Sequence, residues 1–215
     1  MSDLATRAVV GVILIAVALV LTFLGGLPFA IMVALVATVM YVEWMRIVSE
    51  WGLGWKILGF FYCLTPALAL LWIRERAAFE GIGQGPDLLI WVFLITWSTD
   101  IGAYFAGRAI GGPKLAPSIS PNKTISGLVG GMISAAIVGW AWVDFVHLPP
   151  LLYWLGAPFA FAAQMGDLFE SSLKRRAGVK DSGTWLPGHG GLLDRLDGLV
   201  PVAVLTAGLM LAGLL

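Results

Sequence analysis

The sequence predicts an all-α, polytopic membrane bundle of about seven transmembrane helices with a cytoplasmic N-terminus. Three observations carry this expectation. The 215 residues are 59% hydrophobic and only 12% charged, about half the charged share of an ordinary soluble domain. Mean hydropathy is +0.91. Apolar runs of about 20 residues, the length that crosses a bilayer core, recur near 7–25, 28–48, 54–73, 88–109, 126–146, 149–169 and 198–215. The runs are continuous, as in AVVGVILIAVALVLTFLGG, and lack the alternation that a barrel strand needs.

The first run is long for a signal peptide, and no small-residue cleavage site follows it. It therefore reads as a membrane helix. Basic residues orient the bundle: with the N-terminus inside, only Arg74 and Arg76 of the 13 lysines and arginines fall on the outer side. The expected location is a bacterial-type inner membrane, crossed several times, with the active site facing the cytoplasm. Loops 108–125 and 174–197 then share one side and can build one site. Residues 1–80 read as scaffold helices and 88–215 as the catalytic region. GIGQGP at 81–86 follows no strand and reads as a turn. One cysteine, Cys63, excludes an internal disulfide, and a net charge of zero gives no basic surface for nucleic acid.

Several charges stand where lipid should make them costly. Asp100 lies in LLIWVFLITWSTDIGAYFAGR, where a carboxylate near a helix centre costs about 2.5–3.5 kcal/mol on insertion scales. Tyr104 and Arg108 follow on the same helix face. Such a stripe either glues helices together or marks a site. In AAQMGDLFESSLKRR, Asp167, Ser171 and Lys174 share one face, and the terminal cations suit the helix dipole. The segment KDSGTWLPGHGGLLDRLDG at 180–198 then sets Lys180, Asp181, His189, Asp194, Arg195 and Asp197 around a glycine-rich turn. Glycines there can bring backbone N–H groups close to phosphate oxygens.

Carboxylates at a membrane edge are hard oxygen ligands. They suit Mg²⁺, which keeps waters and binds one or two carboxylates plus substrate phosphates. The chain has two histidines, His147 and His189, expected on opposite sides, which disfavours a histidine-built zinc site. Lys123, Lys174, Arg175, Lys180 and Arg195 supply a matching anion clamp. Together these parts point to phosphoryl or nucleotidyl transfer. The setting points to a lipid phosphate or a lipid alcohol as acceptor. A transporter carrying ions on Asp100 and Asp167 would leave the Pro-Gly-His-Gly-Gly loop without a role.

With these residues assembled, SLKRRAGVKDSGTWLPGHGGLLDRLD (172–197) resembles the signature of the phosphatidate cytidylyltransferase family, the CDP-diacylglycerol synthases. GDLFESSLKR at 166–175 and STDIGAYFAGRAIGGPKLAPSISPNKT at 98–124 are similar to two further blocks of that family. Where the family usually carries Lys and Glu, this chain has Asn122 and Ser126. The chain is short for the family, and an expectation of one or two missing N-terminal helices goes with that. The resemblance implies cytidylyl transfer from CTP to phosphatidate, giving CDP-diacylglycerol and pyrophosphate. It also implies a helical membrane fold, dependence on Mg²⁺ (with a second metal or K⁺ left open) and a homodimer. It implies metal-binding carboxylates at Asp167 and Asp194, with Asp197 close by. Catalytic positions are Asp167, Asp194, Lys174 and Arg175. Substrate contacts are Ser171, Lys180, Asp181, His189, Arg195, Asp100, Ser120 and Lys123. A CTP-dependent polyprenol or phytol kinase is the alternative within the same chemistry.

Overall fold

The computed structural model describes the backbone of residues 3–80, 86–185 and 190–215, and the side chains of 9–76, 86–185 and 190–215. The chain is helical almost throughout. Helices α1 (Asp3–Leu24), α2 (Gly26–Ile47), α3 (Leu53–Glu80) and α4 (Asp87–Ile110) precede a small antiparallel hairpin, β1 (Lys114–Ala116) and β2 (Ser120–Thr124). Then come α5 (Ile125–Val146), a 3-10 turn (Pro150–Trp154), α6 (Gly156–Arg176), the single turn α7 (Leu193–Leu196) and α8 (Leu199–Leu211). The expected helical membrane architecture is present. Among the described residues, four helices are long and apolar enough to cross a membrane: 26–47, 53–76, 87–110 and 125–146.

Two of the expected runs differ in detail. The run begun at 149 opens as a 3-10 turn because Pro149 and Pro150 cannot donate backbone hydrogen bonds. The α-helix therefore starts at Gly156 and carries on to Arg176, past the apolar stretch. The last helix has 13 residues, about 20 Å of rise, and leaves the tail beyond Leu211 outside it. The hairpin inside the expected loop 108–125 was not anticipated. Its strands pair Lys114 with Thr124 and Ala116 with Ser120.

Helices α4 and α5 form the most intimate pair. A Cβ on Gly131 would stand 2.8 Å from the Thr99 carbonyl oxygen, so only glycine allows this approach. Thr124 caps α5 by accepting the Gly127 N–H at 3.0 Å, which joins β2 to the helix without a loop. The main core lies between these helices, α6 and α8, around Leu88, Trp91, Ile95, Ala135, Phe159 and Val202. A second core of Met40, Trp44, Leu173, Leu193 and Val200 sits at the hairpin end of the bundle. It joins α2 to the 190–200 segment. At the opposite end Arg74 donates to the carbonyls of Thr22 (2.6 Å) and Phe23 (3.2 Å), satisfying the open C-terminus of α1.

Candidate active site

Two polar centres lie side by side at the hairpin end. The first is an open cavity of about 560 Å³ between α4, β2, α5 and α6, lined in part by Asp100, Tyr104, Arg108, Lys123, Gln164 and Asp167. The helical spacing of Asp100, Tyr104 and Arg108 places all three on it, and Arg108 donates to the Tyr104 hydroxyl at 3.0 Å. Lys123 reaches from β2 to Asp167 on α6, with Nζ to Oδ2 at 2.5 Å. Ser171 donates to the other oxygen of Asp167 at 3.2 Å. The two blocks that lie 43 residues apart in sequence as 123 and 166 onwards thus meet at one carboxylate.

The second centre is closed. Lys174 sits between Asp194 and Glu170, 2.6 Å from each. Asp194 also accepts the backbone N–H groups of Ser182 (2.9 Å) and Gly191 (2.8 Å). Burial alone would push the Asp194 carboxyl up. The Lys174 ammonium and these two N–H groups outweigh it and hold the carboxyl below its ordinary value. Burial likewise acts to lower Lys174, and Glu170 and Asp194 overcome it and hold the ammonium above its usual range. Behind this pair lies Glu43, fully buried at the end of α2. It accepts the Ser182 hydroxyl (3.0 Å) and the N–H groups of Leu192 (3.0 Å) and Leu193 (2.7 Å).

The glycine-rich segment therefore differs from its expected role at the described positions. The N–H groups of Gly191, Leu192, Leu193 and Ser182 point at the chain's own carboxylates, Asp194 and Glu43, and not into an open phosphate pocket. His189, with Pro187 and Gly188, lies outside the described residues.

Other expected residues distribute as follows. Asp197, between α7 and α8, accepts the Gly198 N–H at 2.7 Å, and the charges of Asp167, Glu170 and Asp100 all act on it. Arg175 donates to the carbonyls of Ile119 and Val179, each at 3.1 Å, and so ties the hairpin turn to the end of α6. Ser120 stands on β2, partly buried. Lys180 and Asp181 are exposed, and Arg195 is carried on α7. Ser126, where the family usually has Glu, hydrogen-bonds the Gly111 carbonyl and Thr124. Glu43 and Glu170 are the residues that sequence reasoning missed. Glu170 lies one helical step from Asp167 and was within reach of the same face argument. No local pattern marks Glu43, because its partners are 139 to 150 residues away.

Among the described residues no three carboxylate, histidine or cysteine groups converge closely enough to hold a metal by themselves. The chemistry of the donor set still fits Mg²⁺. Asp167 already holds one cation, the Lys123 ammonium, at 2.5 Å, and Mg²⁺ commonly draws the rest of its shell from water and substrate phosphates. Asp194 has spent three acceptor positions on Lys174, Ser182 and Gly191 of the roughly four a carboxylate offers.

Comparison with known proteins bears on what such a site does. The profile of the cytidylyltransferase family matches residues 54–212. The chain belongs to this family. A phosphatidate cytidylyltransferase of Brucella suis is 36% identical over 257 aligned residues, covering 95% of this chain and 92% of the relative. The aligned stretch is longer than this chain, so the relative's extra residues fall within it. Phosphatidate cytidylyltransferases of Staphylococcus saprophyticus and Staphylococcus aureus are 45% and 44% identical over 139 residues, covering 63% of this chain and 53% of each relative. Cytidylyltransferase membership takes in α3 to α8, and with them every carboxylate and cation of both centres except Glu43.

Proposed function

We propose that this chain transfers a cytidylyl group from CTP to phosphatidate, giving CDP-diacylglycerol and pyrophosphate for phospholipid synthesis. The observation that carries the reading is the meeting of the 98–124 block with the 166–175 block at the Lys123–Asp167 pair, in a chain alike to phosphatidate cytidylyltransferases over nearly its whole length. An open polar cavity beside apolar helices suits one water-soluble polyanion and one lipid.

The reaction joins two anions. A phosphate monoester oxygen of phosphatidate attacks the α-phosphorus of CTP, and the bond from that phosphorus to the bridging oxygen of the β-phosphate breaks. The nucleophile is already ionised near neutral pH, since such monoesters have a second pKa of about 6. No strong general base is needed. The residues have to bring the two anions together and offset their repulsion. Lys123 on β2 and Arg108 on α4, both lining the cavity, are the cations that would grip phosphate oxygens. Lys174, held by Asp194 and Glu170, adds a fixed positive charge beside them. Asp167, with water and substrate phosphates filling the rest of the shell, would hold Mg²⁺, which when bound supplies charge neutralisation for the departing pyrophosphate. The enzyme faces the cytoplasm of a bacterial inner membrane, where CTP is, and acts as a homodimer.

The test is a product assay on purified protein with labelled CTP and phosphatidate, with and without Mg²⁺. CDP-diacylglycerol and pyrophosphate are the expected products. Release of CDP with phosphorylation of a lipid alcohol would replace this reading with a kinase.

A further inference from the structure

The signature segment of this site is held by a residue that belongs to none of the blocks that define it. Glu43 lies near the end of α2, in the run VEWMRI. Its side chain is fully buried. Of its oxygens, Oε1 accepts the Leu192 N–H at 3.0 Å, while Oε2 accepts the Leu193 N–H at 2.7 Å and the Ser182 hydroxyl at 3.0 Å. These donors come from two separated stretches, one before and one after the Pro-Gly-His-Gly-Gly run of the sequence. A buried carboxylate with three donors stapling two stretches is a strong local constraint, since hydrogen bonds to charged groups are worth more than neutral ones.

The same two stretches carry the N–H groups that hold Asp194, namely Ser182 and Gly191. Glu43 and Asp194 therefore grip the same two stretches. The packing leaves no slack. A Cβ on Gly191 would come 2.7 Å from Glu43 Oε2, and one on Gly183 would also run into the Glu43 carboxylate. Asp194 in turn sets Lys174 at 2.6 Å.

We propose that Glu43 is a positioning residue of the catalytic centre: from the N-terminal helices it clamps the two arms of the signature loop and so aims Asp194 at Lys174. Residues 1–80 are then not scaffold alone. The proposal rests on the cytidylyltransferase reading for its kinetic arm, and on the loop geometry alone for its second arm.

The experiment compares wild type, E43Q, E43D and S182A in detergent. Gln leaves one acceptor oxygen and sets an NH₂ against N–H donors, whereas Asp keeps both oxygens on a shorter stem. Outer-shell partners of ligand groups typically cost about 10- to 100-fold when lost. E43Q is expected to lose kcat in that range with little change in KM for CTP, and with a moderate drop in Tm that leaves the protein folded at the assay temperature. E43D is expected to recover part of the loss, and S182A to show a smaller loss of the same kind. The E43Q/S182A double variant should lose less than the product of the single losses, because both act on one clamp. In the second arm, amide hydrogen exchange of the peptide containing Leu192 and Leu193 should quicken in E43Q. Wild-type kcat and wild-type protection in E43Q overturn the proposal, as does a loss of activity wholly matched by loss of Tm. Should E43Q fail to fold, S182A decides by the same two readouts. Wild type that turns over no CTP would sink the functional reading, while the exchange arm still decides the clamp.

Discussion

The two polar centres at the hairpin end use the same residue types in opposite ways. Around Asp167 the ion pair is half open, with Lys123 and Asp167 side chains 18% and 29% exposed, and it borders a cavity. Around Asp194 the carboxylate is 7% exposed and Lys174 10%, and every partner is the chain itself. A partly exposed pair at a cavity wall lies between the exposed limit of about 0–1 kcal/mol and the buried one, and its carboxylate stays within reach of a ligand. A buried pair loses about 3–5 kcal/mol when one partner is removed. The first centre is thus built to change partners, and the second to stay as it is.

The sharpest way to break this contrast is D167N. It removes the carboxylate at the exchangeable centre, so turnover should fall by about 10²-fold or more while membrane insertion and Tm stay close to wild type. Near-normal activity would show that Asp167 is not at the chemistry. D194A should behave differently. It strips Lys174 and two loop N–H groups of their partner, so unfolding stability should drop by about 3 kcal/mol, along with activity. A stable, inactive D194A would mean that the second centre is as exchangeable as the first.

The pH dependence sharpens the same point. Asp194 is held below its ordinary value, so its contribution to stability is full above about pH 4 and fades as pH falls through the lower folded value. Lys174 is held above its ordinary value, so its contribution is full below about pH 10 and fades as pH rises through the higher folded value. Burial pushes Glu170 up to about 8 against the pull of Lys174, and Asp194 adds to that rise. The Tm difference between wild type and D194N should therefore vary as Glu170 titrates near pH 8 and shrink in strong acid, where Asp194 itself is protonated. A difference that is unchanged in strong acid would contradict the arrangement. Smaller effects belong to the rim. K123M should raise KM for CTP with a smaller loss of Tm than D194A, because the Asp167 left behind still borders the cavity. R175A removes two bonds to carbonyls, at Ile119 and Val179, and should cost about 1–3 kcal/mol or less, read as a small drop in Tm.

Much of this was legible in advance because lipid imposes simple rules. A chain that must satisfy its backbone groups without water forms helices wherever it is apolar for long enough. Composition thus marked α2, α4 and α5 within two residues at each end, and the start of α3, which runs on seven residues past its expected end. Asp100 and Asp167 stood out because each is a charge in an apolar run. The hairpin was not visible, since KLA and SPNKT are too short and too rich in turn formers to carry a strand pattern. Its last residue, Thr124, doubles as the cap of α5.

By itself the sequence determined that this is a helical membrane protein, that its polar residues gather in loops 108–125 and 174–197, and that those loops carry the cytidylyltransferase blocks. Local composition and short-range spacing suffice for that, because membrane insertion and helix periodicity act on neighbouring residues. Only the tertiary structure decided which carboxylate faces a cavity and which is sealed. It also decided that the loop N–H groups serve Asp194 and Glu43. The Glu43 contacts join residues more than a hundred positions apart, and those of Asp194 depend on how its segment folds back on α6; no spacing along the chain encodes either.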